Sequence, residues 1–139
     1  CGWIATYNAL RLMGYRTNIE ELIRYYERQF PLVHGNAGTS FWGPAAFFRH
    51  HGFRVTPEVR RDRFDGLVEG SEVCILFYYW RKGLKVGSHF VALHKTDRGI
   101  LGYNTYKNSA GPDHYGESLD KFLEKRGYFG CVLIGIREK

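Results

Sequence analysis

The first 52 residues repeat their apolar positions with the period of an α-helix. Residues 1–13 contain no proline, and small or apolar side chains cover most of the predicted helix surface, which is typical of a central helix. Apolar residues over 19–30 follow the i, i+3, i+4, i+7 spacing, so a second helix is predicted to begin at Thr17 or Asn18. A third, short helix is predicted over 44–51.

Beyond residue 52 the apolar runs shorten to the length of strands, with turn residues between them. The run 72–79 is apolar on both faces, which predicts a central strand. The sequence Asp-Arg-Gly at 97–99 predicts a hairpin turn between two strands. Strands are predicted at 54–59, 72–79, 88–96, 99–107 and 130–137, with helical segments at 64–68 and 118–125.

Length and composition agree with an ordinary folded domain. The chain has 139 residues, 44% of them hydrophobic and 17% aromatic, so it can bury a core and is not a disordered sequence. The order of elements predicts one α+β domain over 1–139, with a mainly helical half at 1–52 and a mainly β-sheet half at 53–139. No uncharged apolar run approaches about 18 residues, so no membrane partner is expected.

The charge and the cysteines exclude further classes of protein. The net charge is +6, but the basic clusters neither interleave with aromatic residues nor form a continuous stripe, so no nucleic-acid partner is expected. The three cysteines are too scattered for a disulfide framework, and no Cys/His spacing indicates a metal site. We therefore expect no cofactor and a reducing, cytoplasmic location.

Cys1 is the sharpest chemical feature. A thiol at the N terminus of a helix feels the positive end of the helix dipole, which favours the reactive thiolate. The chain starts without an initiator Met or a signal peptide, so we expect that something precedes Cys1, and either trimming or a maturation cleavage exposes it. Cys74 and Cys131 lie in apolar strand runs and are expected to be inert core residues.

A thiolate needs a base, and the strand 88–96 contains two histidines on opposite faces. His89 shares its face with apolar residues, and Asn104 on the next strand is a candidate to orient its ring. The pairing register decides whether they meet. One register sets Asn104 opposite Val91 on the face of His89, and the other sets it opposite Ala92 on the face of His94.

Three segments in this order resemble papain-like cysteine peptidases, and most closely the branch that cleaves double-glycine leader peptides, with its stand-alone relatives. They are Cys-Gly-Trp-Ile-Ala-Thr-Tyr-Asn-Ala-Leu at 1–10, Gly-Ser-His-Phe-Val-Ala-Leu at 87–93 and Gly-Tyr-Asn-Thr at 102–105. The resemblance implies a papain-like fold in which Cys1 is the nucleophile, His89 the general base and Asn104 the orienting residue. The branch usually has Asp in the third position, whereas papain has Asn. The family also places an oxyanion-hole Gln a few residues before the nucleophile, a position that would lie ahead of Cys1 and outside residues 1–139.

The resemblance further implies hydrolysis of a peptide or amide bond through a thioester acyl-enzyme. Candidate substrate-binding residues are Trp3, Trp42, Ser88, Tyr103 and Tyr106. Two alternatives remain at this stage. One is an amide-forming acyltransferase on the same scaffold, because a thioester can pass its acyl group to an amine. The other is a catalytically idle papain-like binding module, for which the missing Gln is the reason.

Overall fold

The computed structural model of the chain describes residues 2–29, 43–103 and 113–139. Over these residues five helices accompany a six-stranded antiparallel sheet, which confirms the predicted α+β class. The helices are α1 (Gly2–Leu12), α2 (Ile19–Gln29), α3 (Gly43–His50), α4 (Phe64–Gly70) and α5 (Leu119–Arg126). The strands are β1 (Arg54–Glu58), β2 (Val73–Lys82), β3 (Lys85–Thr96), β4 (Gly99–Tyr103), β5 (Asp113–Gly116) and β6 (Phe129–Arg137).

The sheet has the strand order β1-β6-β2-β3-β4-β5, so β2 lies inside it, between β6 and β3. Its first six residues, 73–78, are all buried. They alternate between two hydrophobic cores, one shared with α1, α2 and α3, and one shared with α4 and α5. We name these the α1–α3 core and the α4–α5 core. The prediction of a central strand is therefore confirmed.

Helix α1 lies against the sheet through small side chains. Ala5 and Ala9 are fully buried in the α1–α3 core, and α1 packs on β3 and β2. The Thr6 hydroxyl and the Tyr26 hydroxyl share a buried hydrogen bond of 2.5 Å, which ties α1 to α2. Because small residues face the sheet, the helix can approach it closely, as the sequence pattern predicts.

Side chains cap the N-terminal ends of two helices. The Asn18 carboxamide oxygen accepts hydrogen bonds from the backbone N–H groups of Glu20 and Glu21, so Asn18 is the cap of α2. Ser118 caps α5 by accepting a hydrogen bond from the Lys121 N–H. Among the described helices, none is both long and apolar enough to cross a lipid bilayer.

The sheet differs from the prediction in two places. Strands β2 and β3 are longer than the predicted 72–79 and 88–96, and they join through a two-residue turn in which Gly83 has a φ of +63°. Strand β5 was not predicted, because it is short and mostly polar. The last four positions of the predicted strand 99–107 lie outside the described residues.

Gly102 in β4 provides the first test of this packing. A Cβ atom at this position would overlap the Tyr115 ring, lying 3.0 Å from both Cδ1 and Cζ. We expect Gly102→Ala to lower the free energy of unfolding by about 1–3 kcal/mol, because overpacking a buried site forces neighbours to shift. Urea denaturation measures this change.

Gly66→Ala is the matched control, because no heavy atom lies within 4 Å of its added Cβ. Gly66 lies within α4, where alanine favours the helix by up to about 1 kcal/mol. A Gly102→Ala protein as stable as the Gly66→Ala protein would contradict the described β4–β5 packing.

Candidate active site

Four of the predicted site residues lie within the described part of the chain. His89 and Ser88 lie in β3, Tyr103 is the last residue of β4, and Trp3 lies in the first turn of α1. Cys1, Trp42, Asn104 and Tyr106 lie outside the described residues. The described neighbourhood of the site therefore consists of the start of β3, the end of β4 and the N-terminal part of α1.

His89 is half-buried and lies directly opposite Tyr78 in the β2–β3 ladder. The imidazole and phenol rings meet edge to face, with centroids 5.9 Å apart. Tyr78 belongs to the α4–α5 core and stacks on Tyr128 at 4.1 Å. Burial lowers the pKa of His89 below its usual 6.5, while the negative charge of Asp113 opposes this shift. His89 is thus a neutral imidazole at pH 7, which is the form that accepts a proton.

The register between β3 and β4 is one of the two that the sequence allowed. Tyr103 lies opposite Ala92, and Gly102 lies opposite Leu93. This excludes, for the described pairs, the alternative in which Asn104 would take the place opposite Ala92. The turn that sets this register contains two residues, because Thr96 pairs directly with Gly99.

Helix α1 is fixed at two points that define its direction across the sheet. Near its C-terminal end, the Tyr15 hydroxyl donates a hydrogen bond to the Glu138 carboxylate, just beyond the end of β6. In its middle, Asn8 Nδ2 donates to the Tyr103 carbonyl oxygen at 3.2 Å, at the end of β4. Six residues of helix rise about 9 Å, so Gly2 lies about 9 Å further along the helix axis than Asn8.

The two faces of β3 have different neighbours. Phe90 and Ala92 belong to the α1–α3 core, whereas Val91 belongs to the α4–α5 core. His89 contacts Tyr78 on the second of these faces. His89 therefore lies on the face of the sheet that α1 does not cover.

The two described cysteines are buried, as predicted. Cys74 is in the α4–α5 core, and burial raises the pKa of its thiol to about 12. Burial also raises the pKa of Cys131. Neither thiol is ionised at neutral pH, so both are poor nucleophiles.

The described substrate-binding candidates differ in exposure. Ser88 is exposed, while Trp3 is half-buried and packs against the α1–α3 core. The Tyr103 ring lies 5.8 Å from the ring of His94, on the side opposite to His89. Trp3 and Tyr103 thus lie on the α1 side of the sheet, and only Ser88 adjoins His89 in the chain.

Trp80 is a neighbour of His89 that the sequence reasoning missed. It lies opposite Gly87, and a Cβ atom at Gly87 would overlap the Trp80 indole. The indole therefore rests on the backbone two residues from His89. The signal in the sequence was the combination of a Trp at the end of an apolar strand with a Gly two positions before a candidate base.

No model of a known protein family matches this chain, and no curated protein matches it either. Within the described residues, no three His, Cys, Asp or Glu side chains are grouped so as to hold a metal ion. The assignment of function therefore depends on the site itself and on the motifs in the sequence.

The half-buried histidines give a pH-dependent stability. Burial lowers the pKa of both His89 and His94 below 6.5, so between the folded value and 6.5 the unfolded chain binds more protons than the folded one. We expect the free energy of unfolding to be highest above about pH 6.5 and to fall as the pH drops through 6.5. Urea denaturation at a series of pH values measures this dependence.

A double variant, His89→Gln with His94→Gln, should show a shallower fall between pH 7 and pH 5, because it lacks both titrating groups. His114→Gln is the control for removing an exposed imidazole. A slope that is unchanged in the double variant would show that these two histidines do not cause the acid sensitivity.

Proposed function

We propose that this chain is a papain-like cysteine peptidase that hydrolyses a peptide or amide bond through a thioester. In this proposal Cys1 is the nucleophile, His89 the general base and acid, and Asn104 the residue that orients His89. The observation that carries the proposal is the β3–β4 register. It is the register, of the two allowed, that is compatible with a pairing of His89 and Asn104.

The β3–β4 pairing, continued by one residue, supports Asn104 as the residue that orients His89. Extended by one residue beyond Tyr103, it would set Asn104 opposite Val91, and Val91 shares the face of His89. A carboxamide oxygen there would accept a hydrogen bond from one ring nitrogen of His89. The other ring nitrogen would then be left to exchange a proton with the nucleophile.

The position and direction of α1 support Cys1 as the nucleophile. Cys1 directly precedes Gly2, the first residue of α1. The positive end of the helix dipole favours a thiolate at that position. The Asn8–Tyr103 hydrogen bond holds the helix against the end of β4, next in sequence to Asn104. These contacts support an approach of the Cys1 sulfur to His89 at the ends of the strands.

The proposed chemistry proceeds in two steps. The Cys1 Sγ attacks the substrate carbonyl carbon while His89 holds the proton from the thiol. The C–N bond then breaks as His89 donates that proton to the leaving amine, which leaves a thioester on Cys1. In the second step His89 takes a proton from water, the hydroxyl adds to the thioester, and the carboxylic acid leaves as the thiol is restored.

Alkylation by iodoacetamide at pH 7 tests the nucleophile. We expect one fast-reacting thiol in the parent protein and its loss in Cys1→Ala, because Cys74 and Cys131 are buried. Peptide mass mapping identifies the alkylated residue. Fast labelling that persists at Cys74 or Cys131 in Cys1→Ala would overturn the assignment, and a parent protein without a fast thiol would favour the idle binding module.

His89→Ala tests the base. We expect it to slow alkylation of Cys1 at pH 7 by about tenfold or more, because a thiol of ordinary pKa is only a few per cent ionised there. His114→Ala, at an exposed position in β5, is the matched control and should react like the parent. Equal rates in both variants would exclude His89 as the partner of Cys1.

Product analysis separates hydrolysis from acyl transfer. With an acyl-amide substrate and an added primary amine, the peptidase assignment predicts the free acid as the main product. A conjugate of the acyl group with the amine, formed in place of the acid, would instead identify the acyltransferase alternative.

A further inference from the structure

Among the residues that the structure describes, the β2–β3 hairpin continues beyond the cores as a two-stranded arm, and His89 lies at its base. Strand β2 contributes Trp80 and Lys82 to the face of the arm that carries His89, and β3 contributes Lys85 and Gly87. The ladder from Cys74–Leu93 to Lys82–Lys85 has no register shift, so these side chains share one face with His89. Any ligand that lies along this face from the tip toward the sheet arrives at His89.

The first part of this face is an aromatic surface. The Trp80 indole packs over Gly87 and against the edge of the α4–α5 core, and the smaller part of the residue remains accessible. A glycine in a strand interior weakens the strand, and one of its uses is to allow close approach of another group. Here that group is the indole, which covers Gly87 on the face that carries His89 and presents an apolar surface there.

The second part of this face is a pair of cations. Lys82 and Lys85 lie directly opposite each other, and like charges in this position destabilise a hairpin. Neither lysine has a carboxylate within 4.0 Å among the described residues. The chain from residue 73 to residue 96 contains no Asp or Glu at all. An anionic group from outside would relieve this repulsion.

We infer that this face recognises the substrate, and that the substrate is a peptide with an apolar, preferably aromatic, side chain and a nearby carboxylate. The inference rests on the proposed peptidase function. The apolar side chain packs on the Trp80 indole, and the carboxylate lies between Lys82 and Lys85. Lys85 is four residues from His89, about 13 Å along a strand. In an extended peptide the carboxylate therefore falls about four residues from the bond that is cleaved.

The chain offers an internal control for the charge. Arg81 is in the same arm, but the alternation of β2 places it on the other face, and its Nε donates a hydrogen bond to the Gly83 carbonyl oxygen. Removing Arg81 changes the net charge as removing one lysine does. An effect specific to the face of His89 is therefore distinguishable from a general effect of positive charge.

Fluorescence anisotropy with the Cys1→Ala protein tests the inference without turnover. The probes are two fluorescein-labelled decapeptides. One has a Phe with two Glu residues about two positions away, which matches the two-residue step from Gly87 to Lys85, and the other has Gln in place of both Glu. We expect the Glu peptide to bind more tightly at low ionic strength, and the difference to disappear near 1 M salt. The double variant Lys82→Ala with Lys85→Ala should bind the Glu peptide with an affinity about three- to tenfold lower. The Arg81→Ala variant should bind it with the affinity of the parent.

Gly87→Ala tests the aromatic part separately. The added Cβ displaces the indole, so the affinity for the Phe peptide falls while both lysines remain. A matched peptide with Ala in place of Phe should then bind to the parent and to Gly87→Ala equally. Circular dichroism of each variant confirms that the fold is retained, and Trp80→Phe, which keeps an aromatic ring, should retain part of the affinity.

Several results would overturn the inference. One is equal binding of the Glu and Gln peptides at low salt. Another is a loss of affinity in Arg81→Ala as large as the loss in the lysine double variant. A third is full displacement of the Glu peptide by single-stranded DNA, with an affinity that depends only on total charge. These results leave the alkylation of Cys1 unaffected. A failed alkylation test with retained peptide selectivity would instead reject the peptidase and leave a peptide-binding surface.

Discussion

The uninterrupted pairing of β2 with β3 is the constraint on which the rest of the structure depends. Nine consecutive residue pairs, from Cys74–Leu93 to Lys82–Lys85, assign every side chain of both strands to one face. A slip by one residue would move Phe90 and its neighbours to the opposite core. Because both faces of β2 are buried, each core would then receive side chains that do not pack well against its helices.

The same ladder divides the buried side chains between two cores that contact different helices. The α1–α3 core takes small residues from α1, Ala5 and Ala9, so that the helix can lie close to β3. The α4–α5 core includes Tyr78, whose ring meets the His89 imidazole edge to face. Helix α1, whose start directly follows the proposed nucleophile in the sequence, packs on one side of the sheet, and His89 faces the other side. The proposed function therefore requires the two groups to meet at the ends of the strands, on the side where Asn8 anchors α1 to the Tyr103 carbonyl.

Much of this fold is readable from the sequence, because long segments with one period leave little choice. The three helices of the first half and the central strand β2 follow directly from their apolar spacing. The sequence missed strand β5, since Asp113, His114 and Gly116 are exposed and only Tyr115 is buried. It also ended β2 too early, because cations after Trp80 have the polarity of a loop although they continue the ladder. The β3–β4 register was undecidable from sequence, since Gly99 suits either a two-residue or a three-residue turn.

Because β2 and β3 extend beyond the cores, His89 lies where the buried part of the hairpin meets its exposed part. On the face of β2 that carries Tyr78, burial falls from Tyr78 inside the core, through the half-buried Trp80, to the exposed Lys82. His89 lies opposite the inner end of this gradient and is itself half-buried. A general base must be shielded enough from water to remain neutral at pH 7 and still accessible enough to contact a substrate. His89, at the position where β3 enters the core, meets both conditions, whereas His94 lies further along the strand with its ring 5.8 Å from that of Tyr103.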